Sequence, residues 1–211
     1  MNNEIETARL HLRPITEADT QQLFELDSDP AVMRYINGGH PMPYEAVATQ
    51  LMPRVLECVR SQAPLGFWSA TCKTTQAFAG WFHFYPAKEH PMLQELQQLQ
   101  PQDVVLGYRL HQQFWGQGLG TEGARALVAK GFEEWQVQRV IAWALTVNRG
   151  STRVMEKVGL RSLQEFWFTE AQLSKVKPEE RRAVMYALDR ATYFAQQTLG
   201  DRVPAPAISD Q

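Results

Sequence analysis

Residues 107–122 read Gly107-Tyr108-Arg109-Leu110-His111-Gln112-Gln113-Phe114-Trp115-Gly116-Gln117-Gly118-Leu119-Gly120-Thr121-Glu122. Three glycines alternate with other residues between a strand-like run and the start of a helical pattern. Glycine lets the backbone approach an anion closely, and a helix start aims free N–H groups at it. The turn is therefore either a phosphate cradle or a tight strand-to-helix connection. It is not a P-loop, because Thr121-Glu122 stands where a Lys-Ser/Thr pair would follow the last glycine. Nor is it a dinucleotide fingerprint, since Gly116-Gln117-Gly118-Leu119-Gly120 lacks the GxGxxG spacing.

Downstream, Ala124, Leu127, Val128, Phe132 and Trp135 share one face of a helix predicted over 121–135. Residues 140–145 are apolar on both faces, as a covered central strand requires. A helix over 151–158 follows, with Gly159 placed as its C-cap, then strands over 163–168 and 184–188 and a terminal helix over 189–199. Residues 200–211, with Pro204 and Pro206, read as a loose tail.

Upstream of the turn, a strand is expected over 104–111. Before it, strands over 66–73 and 78–85 flank the polar turn Thr74-Thr75-Gln76, a hairpin signature. Residues 86–102, rich in Gln and Pro, read as an inserted loop carrying a short helix over 93–99. Near the start, a strand over 10–13 stops at Pro14, Thr16 caps a first helix, and Asp29-Pro30 opens a second that Gly38-Gly39 ends. A third helix over 44–60 should be kinked by Pro53. The expected architecture is α/β of the α+β kind: a mixed, mostly antiparallel sheet of six to seven strands with helices on both faces. It occupies residues 1–190 as one domain, with 191–211 as terminal helix and tail.

The chain has 211 residues, 44% of them hydrophobic and 21% charged, which suits one globular domain with its own core. A net charge of -2 supplies no basic excess for a polynucleotide, so no nucleic-acid partner is expected. With no leader-like start and no apolar run of ~18 residues, the chain reads as cytoplasmic, without a membrane partner. Cys58 and Cys72 form no CxxC pair and read as buried, inert thiols, and no metal site is expected.

The run from Trp115 to Gly120 resembles the acetyl-coenzyme A motif of the GCN5-related N-acetyltransferase (GNAT) superfamily, in the form used by its ribosomal-protein N-terminal acetyltransferase branch. Thr121-Glu122 matches the small hydroxyl and Glu that follow. A second block, Asn148-Arg149-Gly150-Ser151 with Val154-Met155-Glu156-Lys157-Val158-Gly159-Leu160, resembles the family's Asn-x-x-Ser and Glu-Lys-x-Gly-Phe pattern. The resemblance spans residues 5–189 and leaves out the Gln-rich insertion.

The resemblance implies an acetyl-coenzyme A-dependent N-acetyltransferase whose partner is a peptide N-terminus or a small-molecule amine. The alternative is a non-catalytic acyl-coenzyme A sensor, and a homodimer through the late strands and terminal helix is compatible with either. Leu110 would offer backbone groups to the pantetheine arm, and the amides of Gln117, Gly118, Leu119, Gly120 and Thr121 would hold the pyrophosphate. Arg149 or Arg153 would meet the outer phosphate or else be solvated; Arg153 is the choice for the cofactor site. Asn148 would bind the pantetheine or hold the central strands apart, and Ser151 would protonate the departing thiolate or serve as a plain N-cap. Where relatives often carry a basic Glu, this chain has Val105. The base is left among His111, His83, Asp103, Glu165, Glu170 and ordered water. His111, with a side chain that titrates near ~6.5, joins Ser151 and Asn148 as the catalytic set. Most of the aromatics should be core, with Trp81 and Trp167 lining an acceptor pocket.

Overall fold

The computed structural model describes residues 3–90, 93 and 99–200. Residues 94–98 of the predicted short helix over 93–99 and the tail beyond residue 200 lie outside these. In chain order the elements are β1 (Ile5–Glu6), β2 (Leu10–Pro14), α1 (Thr20–Asp27), α2 (Pro30–Asn37), α3 (Tyr44–Ala46), α4 (Met52–Ser61), β3 (Gly66–Cys72), β4 (Phe78–Pro86), β5 (Asp103–Leu110), α5 (Leu119–Glu133), β6 (Arg139–Leu145), α6 (Arg149–Val158), β7 (Arg161–Trp167), β8 (Arg182–Asp189) and α7 (Arg190–Gly200). Among the described residues the sheet has eight strands in the order β1-β2-β3-β4-β5-β6-β8-β7, antiparallel except for the β5–β6 pair. The strand beyond the expected six to seven is the two-residue β1, too short to show a period.

Two other expectations need correction. The third helix is not continuous: a π-helical segment, Val47–Leu51, separates α3 from α4. Pro53 has no N–H to donate and its ring crowds the preceding turn, so the extra residue is taken up just upstream. The helix after the glycine turn begins at Leu119 rather than Thr121, because Gly118 adopts φ 81° as its N-cap and Gly120 is already helical.

Alternation along the strands fills both faces. Phe82, Phe84, Leu106, Leu110, Val140 and Ala142 pack beneath α5, α6 and α7, while Phe67, Trp81, Tyr85, Val105 and Ile141 meet the helices of the N-terminal third. Among the described residues no helix is long and apolar enough to cross a membrane.

Helix α5 lies very close to the sheet because it carries glycine where β4 carries phenylalanine. A Cβ on Gly123 would come within 2.8 Å of Phe82 ring atoms, and one on Gly131 within 2.6 Å of Phe84. Helix propensity alone favours Ala over Gly by ~1 kcal/mol, whereas overpacking costs ~1–3 kcal/mol. Gly123→Ala and Gly131→Ala are each expected to lose up to about 2 kcal/mol net in urea unfolding; a gain in either would show that the helix simply lifts away.

Candidate active site

Strands β5 and β6 pair only at Asp103–Arg139, Val104–Val140 and Val105–Ile141, and beyond these residues they diverge. Each is meanwhile fully paired on its other edge, β5 to β4 and β6 to β8. The His111 N–H bonds to the Ala79 carbonyl, so by antiparallel alternation Tyr108 and Leu110 turn their N–H and C=O groups away from β4 into the gap. By the same rule the Thr146–Arg182 bond turns the backbone groups of Trp143 and Leu145 towards it from β6. At the rim two carbonyls are already occupied. The Trp115 indole N–H donates to the Leu110 carbonyl at 2.7 Å, and the Asn148 N–H donates to that of Leu145 at 2.8 Å. Leu110 thus brings its N–H to the gap and not its carbonyl, which narrows the part expected of it.

The glycine turn opens beside this gap. The first helical bond of α5 runs from Glu122 N–H to the Gly118 carbonyl, so the amides of Gly118, Leu119, Gly120 and Thr121 precede the ladder and have no intrahelical acceptor. Sequence reasoning missed the cation at this turn. Arg9, from the bend between β1 and β2, donates to the Gln117 carbonyl at 2.8 Å and to Glu122 at 2.7 Å. Its side chain is 47% exposed, so one charged face stays open to solvent. The Gln117 side chain turns back to the Gln113 carbonyl. A cleft of about 310 Å³ adjoins the turn, lined by Arg9, Thr74, Thr75, Gln113 and Gln117.

A second helix start faces the gap from β6. Asn148, and not Ser151, is the N-cap of α6: its Oδ1 accepts the Ser151 N–H at 3.2 Å. Ser151 lies one turn in, and its hydroxyl meets Tyr108. Burial pushes the Tyr108 phenol up to about 12, and the Ser151 hydroxyl draws it back. The Tyr108 ring lies on Gly120, where a Cβ would sit 3.1 Å from Cε2 and 3.5 Å from the phenolic oxygen. Tyr108 therefore bridges the first turns of α5 and α6. No local pattern announced it, since its partners are 12 and 43 residues away in the chain. Arg149 and Arg153 are exposed on α6 and form no ion pair among the described residues.

The structure separates the proposed bases by position. His111 stands beyond β5 at the open end, with its ring against Phe78; burial lowers its pKa, while Asp29 and Glu25 oppose the shift. Asp103 is buried at the closed end, where it accepts the Gln100 N–H at 2.8 Å and lies 3.6 Å from Arg139. Glu165 pairs with Arg182, and Glu170 is exposed. His83 lies over Gly107 at the point of divergence. Trp81 is buried under the Arg109 guanidinium, 4.9 Å from its ring centroid, whereas Trp167 is 60% exposed on the edge strand and does not share a pocket with it. The expectation of two buried, inert thiols needs correction: Cys58 is only half-buried, though burial still raises its thiol to about 11, and Cys72 is buried but its thiol is lowered by hydrogen bonds from Thr75 and Thr74. No group of three His, Cys, Asp or Glu side chains suited to a metal occurs among the described residues.

Residues 9–161 match the Acetyltransferase (GNAT) domain family. The chain is 31% identical to the FsC-acetyl coenzyme A-N(2)-transacetylase of Aspergillus fumigatus over 77% of its own length and 67% of that protein. It is similar in fold to aminoglycoside acetyltransferase AAC(6')-Ib in complex with coenzyme A (TM-score 0.69, 21% identity, 89% of this chain and 99% of that one). It is likewise similar to RimL, a ribosomal L7/L12 alpha-N-protein acetyltransferase in complex with coenzyme A (TM-score 0.70, 17% identity, 90% and 99%).

Glu122 pins the β1–β2 bend to the glycine turn, accepting from the Thr7 hydroxyl at 2.6 Å and from the Arg9 amide and guanidinium at 2.7 Å. Burial raises its pKa, but these donors outweigh it and hold the carboxyl below its usual 4.5. A depressed carboxylate stabilises the fold above its unfolded pKa and ceases to as pH falls through its folded value. Glu122→Gln should cost about 1–3 kcal/mol at pH 7. In urea unfolding across pH, that deficit should shrink once the pH drops below 4.5; a pH-independent deficit would deny the charge any part in it.

Proposed function

Because this chain belongs to the GNAT acetyltransferase family, we propose that it moves the acetyl group of acetyl-coenzyme A directly onto a primary amine, with the diverging β5 and β6 strands as the seat of transfer. The observation that carries this reading is the gap itself: two parallel strands that part after Val105 and Ile141, bordered by the start of α5, where the amides of Gly118 to Thr121 are open, and by the start of α6, where the Arg149, Ser151 and Thr152 amides are already taken by Val147 and Asn148. The amides of Gly118 to Thr121 and the exposed face of Arg9 suit a diphosphate. Leu110 and Tyr108 would offer amides to the pantetheine arm and to the developing oxyanion. Ser151, backed by the Tyr108 phenol, would return a proton to the departing thiolate. Arg153 is well placed for an outer phosphate only as an exposed cation near the start of α6.

The acceptor is a peptide N-terminus or a small-molecule amine, and the 31% identical fungal relative is named an FsC-acetyl coenzyme A-N(2)-transacetylase. A cytoplasmic site of action goes with this reading. So does a homodimer through the edge strand β7, where Trp167 is exposed.

Titration calorimetry should give saturable binding of acetyl-coenzyme A, and Gly118→Val, which forces a branched side chain to φ 81°, should weaken it at least about tenfold. Thiol release should then be followed with aminoglycosides, polyamines, amino acids and ribosomal-protein N-terminal peptides. Ser151→Ala should slow the best acceptor about 100-fold with coenzyme affinity kept. Binding without thiol release for any amine would favour the sensor reading, and no binding would remove both.

A further inference from the structure

We infer that His83 is the base that collects the amine proton during acetyl transfer, and that Gly107 is glycine so that this imidazole can lie at the point where β5 and β6 part. The inference rests on the acetyltransferase reading above. His83 and Gly107 are direct cross-strand partners, and Gly107 is the second residue past the last β5–β6 pair. A Cβ at Gly107 would come within 2.6 Å of the His83 Cε1 and closer still to Nε2, so the ring occupies the space a side chain would fill.

Around the imidazole stand Phe67 of β3 at 5.5 Å, Trp81 at 5.6 Å and Tyr85 at 5.0 Å between ring centroids, with His90 of the 86–102 insertion at 6.4 Å. Among the described residues neither ring nitrogen of His83 has a hydrogen-bond partner, yet the residue keeps part of its surface open. A ring nitrogen is therefore open to a reactant rather than committed to a protein partner. Burial, followed by the charges of His90, Arg109 and Arg54, lowers its pKa well below 6.5, so the ring is neutral and ready to accept at physiological pH. The other groups facing it are Tyr85, whose phenol burial raises, and His90, which burial lowers to about 4.

The step balances without a further reactant. The amine nitrogen bonds to the thioester carbon and the carbonyl electron pair moves to oxygen, towards the Tyr108 amide. His83 takes a proton from the nitrogen made cationic by the new C–N bond, the oxygen pair returns, the C–S bond breaks, and the thiolate receives a proton from the Ser151 hydroxyl backed by the Tyr108 phenol; His83 then loses its proton to solvent and the Ser151–Tyr108 pair regains one from it.

The test compares wild type, His83→Gln and His83→Ala with the fastest amine of the panel above, alongside calorimetry with acetyl-coenzyme A. Both variants should lose about 100-fold or more in kcat. Coenzyme affinity should stay within threefold of wild type, and added imidazole should restore part of the His83→Ala rate. Nuclear magnetic resonance of the ring should show His83 neutral down to pH 6. A His83→Gln variant within threefold of wild-type kcat, or a rate loss that imidazole leaves untouched, would overturn the inference while leaving the acetyltransferase reading standing. Failure of every amine and of coenzyme binding would bring down both.

Discussion

The site depends on an interrupted hydrogen-bond ladder. Parallel strands share evenly spaced, slanted bonds, and each bond left unmade exposes polar backbone that water or a ligand must satisfy. Strands β5 and β6 make their ladder for three residues and then abandon it, although each continues to pair with its antiparallel neighbour. The gap is held open by what grips the strands from outside. It is a rigid feature because β4 and β8 fix both walls.

What fills the rim then sets its chemistry. The two carbonyls nearest the opening, Leu110 and Leu145, are taken by Trp115 and Asn148, while the amides beside them remain available. The first turn of α5 adds further unpaired N–H groups, and Arg9 adds a full charge. A protein with net charge -2 thereby presents a local surface made largely of donors, which favours phosphate and developing oxyanions without the overall basicity that nucleic-acid binding demands.

Packing follows one repeated device, an aromatic ring seated on a glycine. Phe82 lies on Gly123, Phe84 on Gly131, Tyr108 on Gly120 and His83 on Gly107. The first two draw α5 down onto the sheet. The second two place a phenol and an imidazole on opposite faces of β5, at the position where the strands separate. The same close-packing that stabilises the core therefore positions polar groups at the candidate site, and a single methyl at any of these glycines would displace a ring.

Much of this was legible in the sequence wherever the signal is local. The glycine turn, the Thr74-Thr75-Gln76 hairpin, the covered strand before Asn148 and the apolar face of α5 act through neighbours a few residues apart, and each appears close to where its pattern put it. Asn148 as helix cap was equally local, and its role was hidden only because Ser151 suits the same task. The arrangement of the site was not legible. Arg9 reaches Glu122 across 113 residues, Tyr108 meets Ser151 across the gap, and β8 inserts between β6 and β7. Turns, caps and periodicity are fixed by backbone sterics and by bonds within one turn. Which strand edges are left unpaired, and which side chains meet over them, follows from sheet order and register, and only the folded chain decides those.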